Sequence, residues 1–256
     1  MISHERPSND QNADGSHASK PGGMQHTPSR FLTRLSSADR AALVALATPL
    51  CVPRRGSVFT TGGPGKHVYF LESGKVKICQ PSPSGSEIIL WFCLPGEIFG
   101  LAEVSHGGGR VVSAYACEES QVLVLSQKDF FSFLGAHPDA VLLSMQALSS
   151  RLRVLGEMVV NLISDDANTR IAKLLLRLAA RYGKRVDGYI LLDVPLTHEE
   201  IANMVGTTRQ TVTTVIGQFR RQGVLSTESR RIQIESEELL TEISLASTPT
   251  ARQRLR

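Results

Sequence analysis

One stretch, LTHEEIANMVGTTRQTVTTVIGQFRRQGVL from Leu196 to Leu225, constrains the fold of this chain more than any other. Thr197 is followed three residues later by Glu200, the spacing of a capping box at a helix start. Ile201, Met204 and Val205 then recur at helical spacing, and Gly206 stops the run. After a short turn a second helix reads from Thr208 to Gln222, with Val212, Val215, Ile216 and Phe219 on one face. Two short helices joined by a tight glycine-containing turn make a helix-turn-helix, whose second helix enters the DNA major groove. Packing the apolar face inward leaves Arg209, Gln210, Thr213, Thr214 and Gln218 outside, with donors and acceptors suited to base edges. An ordinary helical hairpin with a solvated polar face shares the periodicity. It does not require the joint agreement of cap, turn glycine, apolar register and polar face.

The flanks of this motif read as further parts of a two-domain protein, for which 256 residues leave room. Residues 1–27 are rich in Ser, Gly, Asn, Pro and His, too polar for burial to offset ordering, and a disordered tail is expected. Its His4, His17 and His26 read as solvated side chains rather than metal ligands. From Arg30 to Leu50 one or two short helices are expected, capped by Ser36 or Ser37 and ended by Pro49. Between Ser57 and Ser126 short apolar strands alternate with Gly- or Pro-containing turns, the texture of a small antiparallel roll.

The longest helix is expected over about Asp139 to Ile163. Val141, Met145, Leu148, Leu152, Leu155, Val159 and Leu162 recur there at spacings of 4, 3, 4, 3, 4 and 3. So narrow a seam favours a two-stranded coiled coil, the alternative being a helix laid lengthwise on its own roll. The helix breaks at Ser164 to Asp166, and another follows with Ile171, Leu174, Leu175 and Leu178 inward. YILLDV reads as a strand leading into the helix-turn-helix, and VLSTESRRIQI beyond it as a wing hairpin. Arg230 and Arg231 of that wing are placed to approach phosphates. The fold class is therefore α+β. The expected domains are a tail (1–27), a sensor roll (28–136), a dimerisation helix (137–163), a winged helix-turn-helix (164–246) and a basic tail (247–256).

A formal net charge of +4 and a pI of about 9.0 agree with a nucleic-acid partner without requiring one. Cys51, Cys79, Cys93 and Cys117 stand singly, which argues against a zinc site and a secreted disulfide framework. No run approaches the ~18 apolar residues of a membrane span. No membrane partner and a cytoplasmic location are expected.

This order of parts resembles the CRP/FNR superfamily of bacterial transcription regulators over about residues 30–245. The most specific stretches are VYFLESGKVKI with PGEIFG, and DANTRIAKLLLRLA followed by the helix-turn-helix. The resemblance implies a homodimer that binds double-stranded DNA with two-fold-related half-sites and recruits or blocks RNA polymerase. It also implies a signal in the roll that rotates the DNA domains about the hinge near Ser164 to Asp166. Arg209 stands where the family's leading arginine meets guanine O6 and N7. Gln210 stands where many members carry Glu, and Thr214 where a second Arg is common, so altered specificity is implied. His198, Thr208 and Thr211 look like phosphate contacts, which set register but read no sequence.

The same resemblance points to an effector pocket at Gly100, Leu101, Glu103, Arg110, Val111 and Leu155. Cyclic-nucleotide members carry Gly-Glu, then Arg-Ser, then a Thr on the dimer helix. Here stand Gly100-Leu101, Arg110-Val111 and Leu155 with Gly156, and Glu103 falls two residues late for a ribose. Cyclic AMP is therefore not the expected effector. In the loop His106-Gly107-Gly108-Gly109-Arg110 the glycines suit an anion nest, but a plain loop with a solvated Arg110 is the reading preferred. Iron–sulfur members need a cluster of N-terminal cysteines, and the first here is Cys51. Haem members place Cys and His where Gly100 and Ala102 stand, leaving His67 and His106 as surface loop residues rather than ligands. Cys79, Cys93 and Cys117 read as buried small hydrophobes, with a redox pair among them as the alternative. No cofactor or metal is thus expected, and the effector is left unnamed.

No catalytic constellation accompanies these features. The HGGG run lacks a GxSxG partner, so an enzyme is not expected. The alternative function is a cyclic-nucleotide or other anion-binding module acting mainly through protein partners, against which Arg209 and the wing argue.

Overall fold

Apolar residues and turns alternate from Thr48 onward, and they close into two facing four-stranded sheets. The computed structural model describes residues 30–82, 87–192, 194, 196–228 and 231–246. Both expected tails and Arg230 lie outside them. Helices α1 (Phe31–Arg34) and α2 (Ser37–Leu46) precede the roll, and Ser36 caps α2 by accepting from Asp39 N at 3.0 Å.

The roll strands are β1 (Thr48–Val52), β2 (Ser57–Phe59), β3 (His67–Ser73), β4 (Val76–Pro81), β5 (Glu87–Cys93), β6 (Ile98–Phe99), β7 (Ser113–Ala116) and β8 (Ser120–Ser126). One sheet runs β1-β8-β3-β6 and the other β2-β7-β4-β5. The roll therefore begins nine residues earlier than the turn signals suggest, at Thr48 rather than Ser57. Pro49 ends the helical run, as expected, yet sits in a strand. That strand lies at a sheet edge, where a missing N–H is tolerated. A short helix, α3 (Ala102–His106), interrupts the Gly-rich connection.

After α4 (Gln127–Ala136) comes α5 (Pro138–Ser164), which has two apolar faces. Ala140, Leu143 and Ala147 pack into a core with Phe31, Phe70, Phe130 and Phe133. Val141, Met145, Leu148, Leu152, Val159 and Leu162 stay exposed, Leu152 at 73%, while Leu155 is half-buried. The alternative of a helix laid along its own roll holds on one face, and the other face leaves the seam residues exposed.

Asp166 starts α6 (Ala167–Tyr182) by accepting from Thr169 N at 2.8 Å. A hairpin that the sequence reading passed over follows, β9 (Gly183–Val186) and β10 (Tyr189–Leu192). Its turn residues Asp187 and Gly188 have φ of 43° and 94°, the positive pair of a type I′ turn. Then come α7 (His198–Val205), α8 (Arg209–Arg221), the wing strands β11 (Leu225–Glu228) and β12 (Arg231–Ile234), and α9 (Glu237–Leu245). The second hairpin extends the wing into a sheet ordered β11-β12-β10-β9.

Candidate nucleic-acid interface and sensor cradle

The capping box forms as its spacing predicts. Thr197 Oγ1 accepts from Glu200 N at 3.1 Å, and Thr197 N donates to Glu200 Oε2 at 2.8 Å. Gly206 closes α7 in the left-handed region at φ 66°, which favours glycine. Thr208 is the cap of α8 rather than its first residue, and its hydroxyl accepts from Thr211 N at 3.1 Å. Val212, Val215, Ile216 and Phe219 are buried beneath α8, and Arg209, Gln210, Thr213 and Thr214 are exposed above it. Gln218 and Thr211 are half-buried.

Two of the threonines have their donors engaged locally. Thr213 Oγ1 donates to Arg209 O at 2.9 Å and Thr214 Oγ1 to Gln210 O at 3.1 Å, back-bonds within the helix. With its proton so placed, Thr213 accepts from His198 Nδ1 at 2.9 Å. His198 thus props the start of α7 against α8. Arg209 and Gln210 are the exposed side chains best suited to base edges. Arg231 is exposed at the start of β12.

Arg170 is a positioning residue that the sequence did not single out. From α6 it donates Nε to Val205 O at 2.8 Å and Nη2 to Gly206 O at 3.3 Å, and Nη1 to Asp165 O at 2.6 Å. It satisfies the carbonyls at the end of α7 and ties the turn before α8 to the break after α5. Its place in the run TRIAK carries no local signal for this.

In the roll, α3 winds Glu103 inward against Arg110. Arg110 Nη1 reaches Glu103 Oε2 at 2.7 Å and Gly100 O at 2.9 Å, and Nη2 donates to His67 O. The guanidinium lies 4.3 Å from the Phe59 ring centroid and 5.5 Å from that of Tyr69. Arg110 is 2% exposed, so the solvated arginine expected in this loop is corrected. The reason is that one turn of helix brings a carboxylate seven residues back in sequence into contact with it.

Gly100 sits at φ 76°, and a Cβ there would meet the Tyr69 ring at 2.9 Å. The structure thus brings Gly100, Glu103 and Arg110 together. Leu101 and Leu155 are half-buried, and Val111 stays exposed at 60%, joined only through its N–H to Glu103 Oε1 at 3.4 Å. A cyclic-nucleotide phosphate needs a cation free to receive it. Here that cation is already engaged by a buried carboxylate, which weakens its pull on a second anion. Arg110 Nε is a buried donor without a partner, but one N–H beneath an aromatic ring does not make a phosphate cradle.

Other sensing chemistries find little support in the side chains. Burial pushes the thiols of Cys79 and Cys117 up to about 11 and that of Cys93 up to about 12, which keeps them protonated and unreactive. Cys51 is exposed. His106 is exposed with Nδ1 2.9 Å from Ser105 Oγ, and His67 is half-buried beside Tyr69. Among the described residues no group of three or more His, Cys, Asp or Glu is placed to hold a metal ion. No helix among them is long and apolar enough to cross a membrane.

The two regions are joined. Glu97, 0% exposed in the turn before β6, receives Arg151 of α5 at 2.7 Å and Arg181 of α6. Tyr182 Oη donates to Phe92 O at 3.0 Å, and Phe92 packs edge-on against its ring. Asn203 Nδ2 of α7 donates to Glu87 O at 3.3 Å.

Comparison with known proteins adds to this geometry. Residues 50–137 match the family model of the cyclic nucleotide-binding domain, and residues 169–243 that of the Crp-like helix-turn-helix domain. A CRP-like cAMP-activated global transcriptional regulator of Mycobacterium tuberculosis is 33% identical over 200 residues, covering 78% of this chain and 89% of that one. A global nitrogen regulator of Synechocystis sp. is 30% identical over 185 residues, covering 72% and 82%. The solved structure of FixK2 from Bradyrhizobium japonicum superposes with a TM-score of 0.68 at 23% identity, over 79% of this chain and 99% of that one.

Proposed function

The chain belongs to the CRP/FNR superfamily of transcription regulators, and on that premise we propose that it acts as a homodimer reading a two-fold-related DNA site. The observation that carries this reading is α8, capped at Thr208 and presenting Arg209 and Gln210 over four buried apolar residues. Arg209 takes a guanine through its fork, and Gln210 suits adenine N6 and N7. His198, Thr208, Thr211 and the wing arginines Arg230 and Arg231 fix register on phosphates. The uncovered seam of α5 supports dimerisation, which sets two α8 helices on half-sites about one helical turn apart. Bound there, the dimer recruits or blocks RNA polymerase. It works in the cytoplasm, without membrane or catalytic chemistry.

The signal reaches α8 through the joint at Glu97 and the hinge at Asp165. Cyclic AMP is not the signal favoured, because Glu103 already neutralises Arg110. The test is a mobility shift on duplex carrying the site, titrated against salt. Phosphate contacts predict a log–log slope of about −0.9 for each phosphate neutralised. Arg209→Ala is expected to weaken binding by about 1–3 kcal/mol and to relax discrimination at one base pair. Wild-type discrimination at every position in that variant would remove Arg209 from base reading.

A further inference from the structure

Helix α8 carries a ridge opposite its buried face. Val212, Val215, Ile216 and Phe219 are buried. At about 100° per residue the far side holds Gln210, Thr214, Gly217 and Arg221, spaced by 4, 3 and 4. Gln210, Thr214 and Arg221 are exposed and Gly217 is half-buried. The last two members of the ridge have no part in the base reading proposed above.

Nothing inside the molecule calls for glycine at position 217. Glycine in a helix interior is destabilising relative to alanine, because it loses more backbone freedom on folding. It is favoured where φ must be positive or where something packs too closely for a Cβ. Gly217 is not among the glycines with positive φ. A Cβ built on it would meet a single side-chain atom, Arg221 Nη1 at 3.6 Å, which is ordinary contact. What remains is the close approach of an outside group to the helix backbone.

Arg221 indicates the chemistry of that group. Its guanidinium lies back over Gly217, one turn toward the start of α8, as helical side chains do. It forms no ion pair among the described residues. On the other side Thr214 ties its hydroxyl to Gln210 O at 3.1 Å and adds little bulk. The ridge therefore has a low point at Gly217 with an uncommitted cation over it. A helix of 13 residues is about 20 Å long and the major groove about 12 Å wide. If the N-terminal residues of α8 meet base edges, its later turns pass a strand of the duplex.

We propose that the DNA sugar–phosphate backbone crosses α8 at Gly217, and that Arg221 lifts from Gly217 to hold a phosphate there. The contact reads no sequence and sets how closely α8 seats in the groove. It rests on the DNA-binding reading above and adds to it two residues outside the base-reading set.

The test uses the full-length protein and the duplex it selects from a random library, in a mobility shift titrated against salt. Arg221→Gln is expected to flatten the log–log slope by about 0.9 for each half-site, without changing the ranking of single-base variants of the duplex. Arg221→Lys is expected to keep the wild-type slope. Gly217→Leu is expected to weaken binding at least tenfold on every duplex. Its unfolding midpoint is expected to equal or exceed that of the wild type, because leucine is the better helix former. Lys128→Gln, which removes an exposed charge from α4, is expected to leave the slope unchanged. An unchanged slope or a changed ranking in Arg221→Gln, an equal flattening in Lys128→Gln, or wild-type affinity in Gly217→Leu overturns the contact and leaves the DNA-binding reading standing. A wild-type protein that binds no duplex overturns both.

Discussion

Glu103 and Arg110 meet at 2.7 Å in the interior of the roll, with side chains 7% and 0% exposed. Removing one partner of such a pair leaves an uncompensated buried charge, which costs about 3–5 kcal/mol. Glu103→Ala is therefore expected to lower the unfolding midpoint sharply. Inorganic phosphate, with a cation newly free to receive it, is expected to restore part of the loss in the variant and to leave the wild type unchanged. Thermal denaturation with and without phosphate measures both, and a variant as stable as wild type would refute the buried pair. The sequence displayed Arg110, the glycines and Glu103, but not the pairing of the two charges, because the contact depends on a turn of helix folded into an apparent loop. Arg170 and Glu97 were hidden for the same reason, since both act through backbone or side chains far away in sequence. The exposure of Arg209 and Gln210, the proposed readout residues, was legible, because helical periodicity alone places them opposite the buried face.

Among the elements, α7 and α8 were read almost to the residue, since their cap and left-handed glycine are local devices written in adjacent letters. β1 and β9 were not. Thr48 and Pro49 look like the end of a helix, and GKRV is too polar to announce a strand. Their pairing with β8 and β10 makes them strands. The long helix α5 posed a choice between two partners; one face packs on the roll, and the seam face is free for the second copy proposed above. Each seam residue buried against a second copy gains about 1.5–3 kcal/mol relative to exposure, enough over several positions to hold a dimer. Leu152→Asp, at the most exposed seam position and away from the buried face, is expected to yield a folded monomer by sedimentation equilibrium. A dimer of unchanged dissociation constant would exclude the α5 seam as the interface.

On the scale of the whole molecule, the roll, long helix and DNA-reading region are held by a few buried polar groups around Glu97 and by the packing of Phe92 with Tyr182. Ile89 and Phe92 of the roll share one apolar core with α6, α7 and α8. The roll is therefore in direct contact with the helices that position Arg209, which gives the proposed signal a physical route to them. On the proposed reading, two chains joined along α5 would carry two α8 helices related by a two-fold axis, and that symmetry would have to appear in the DNA they select. Selection from a random duplex library with the purified full-length protein, followed by sequencing, measures it directly. The account predicts an enriched inverted repeat with half-sites centred about 10–10.5 base pairs apart. An enriched sequence without two-fold symmetry, or no enrichment at all, would contradict it.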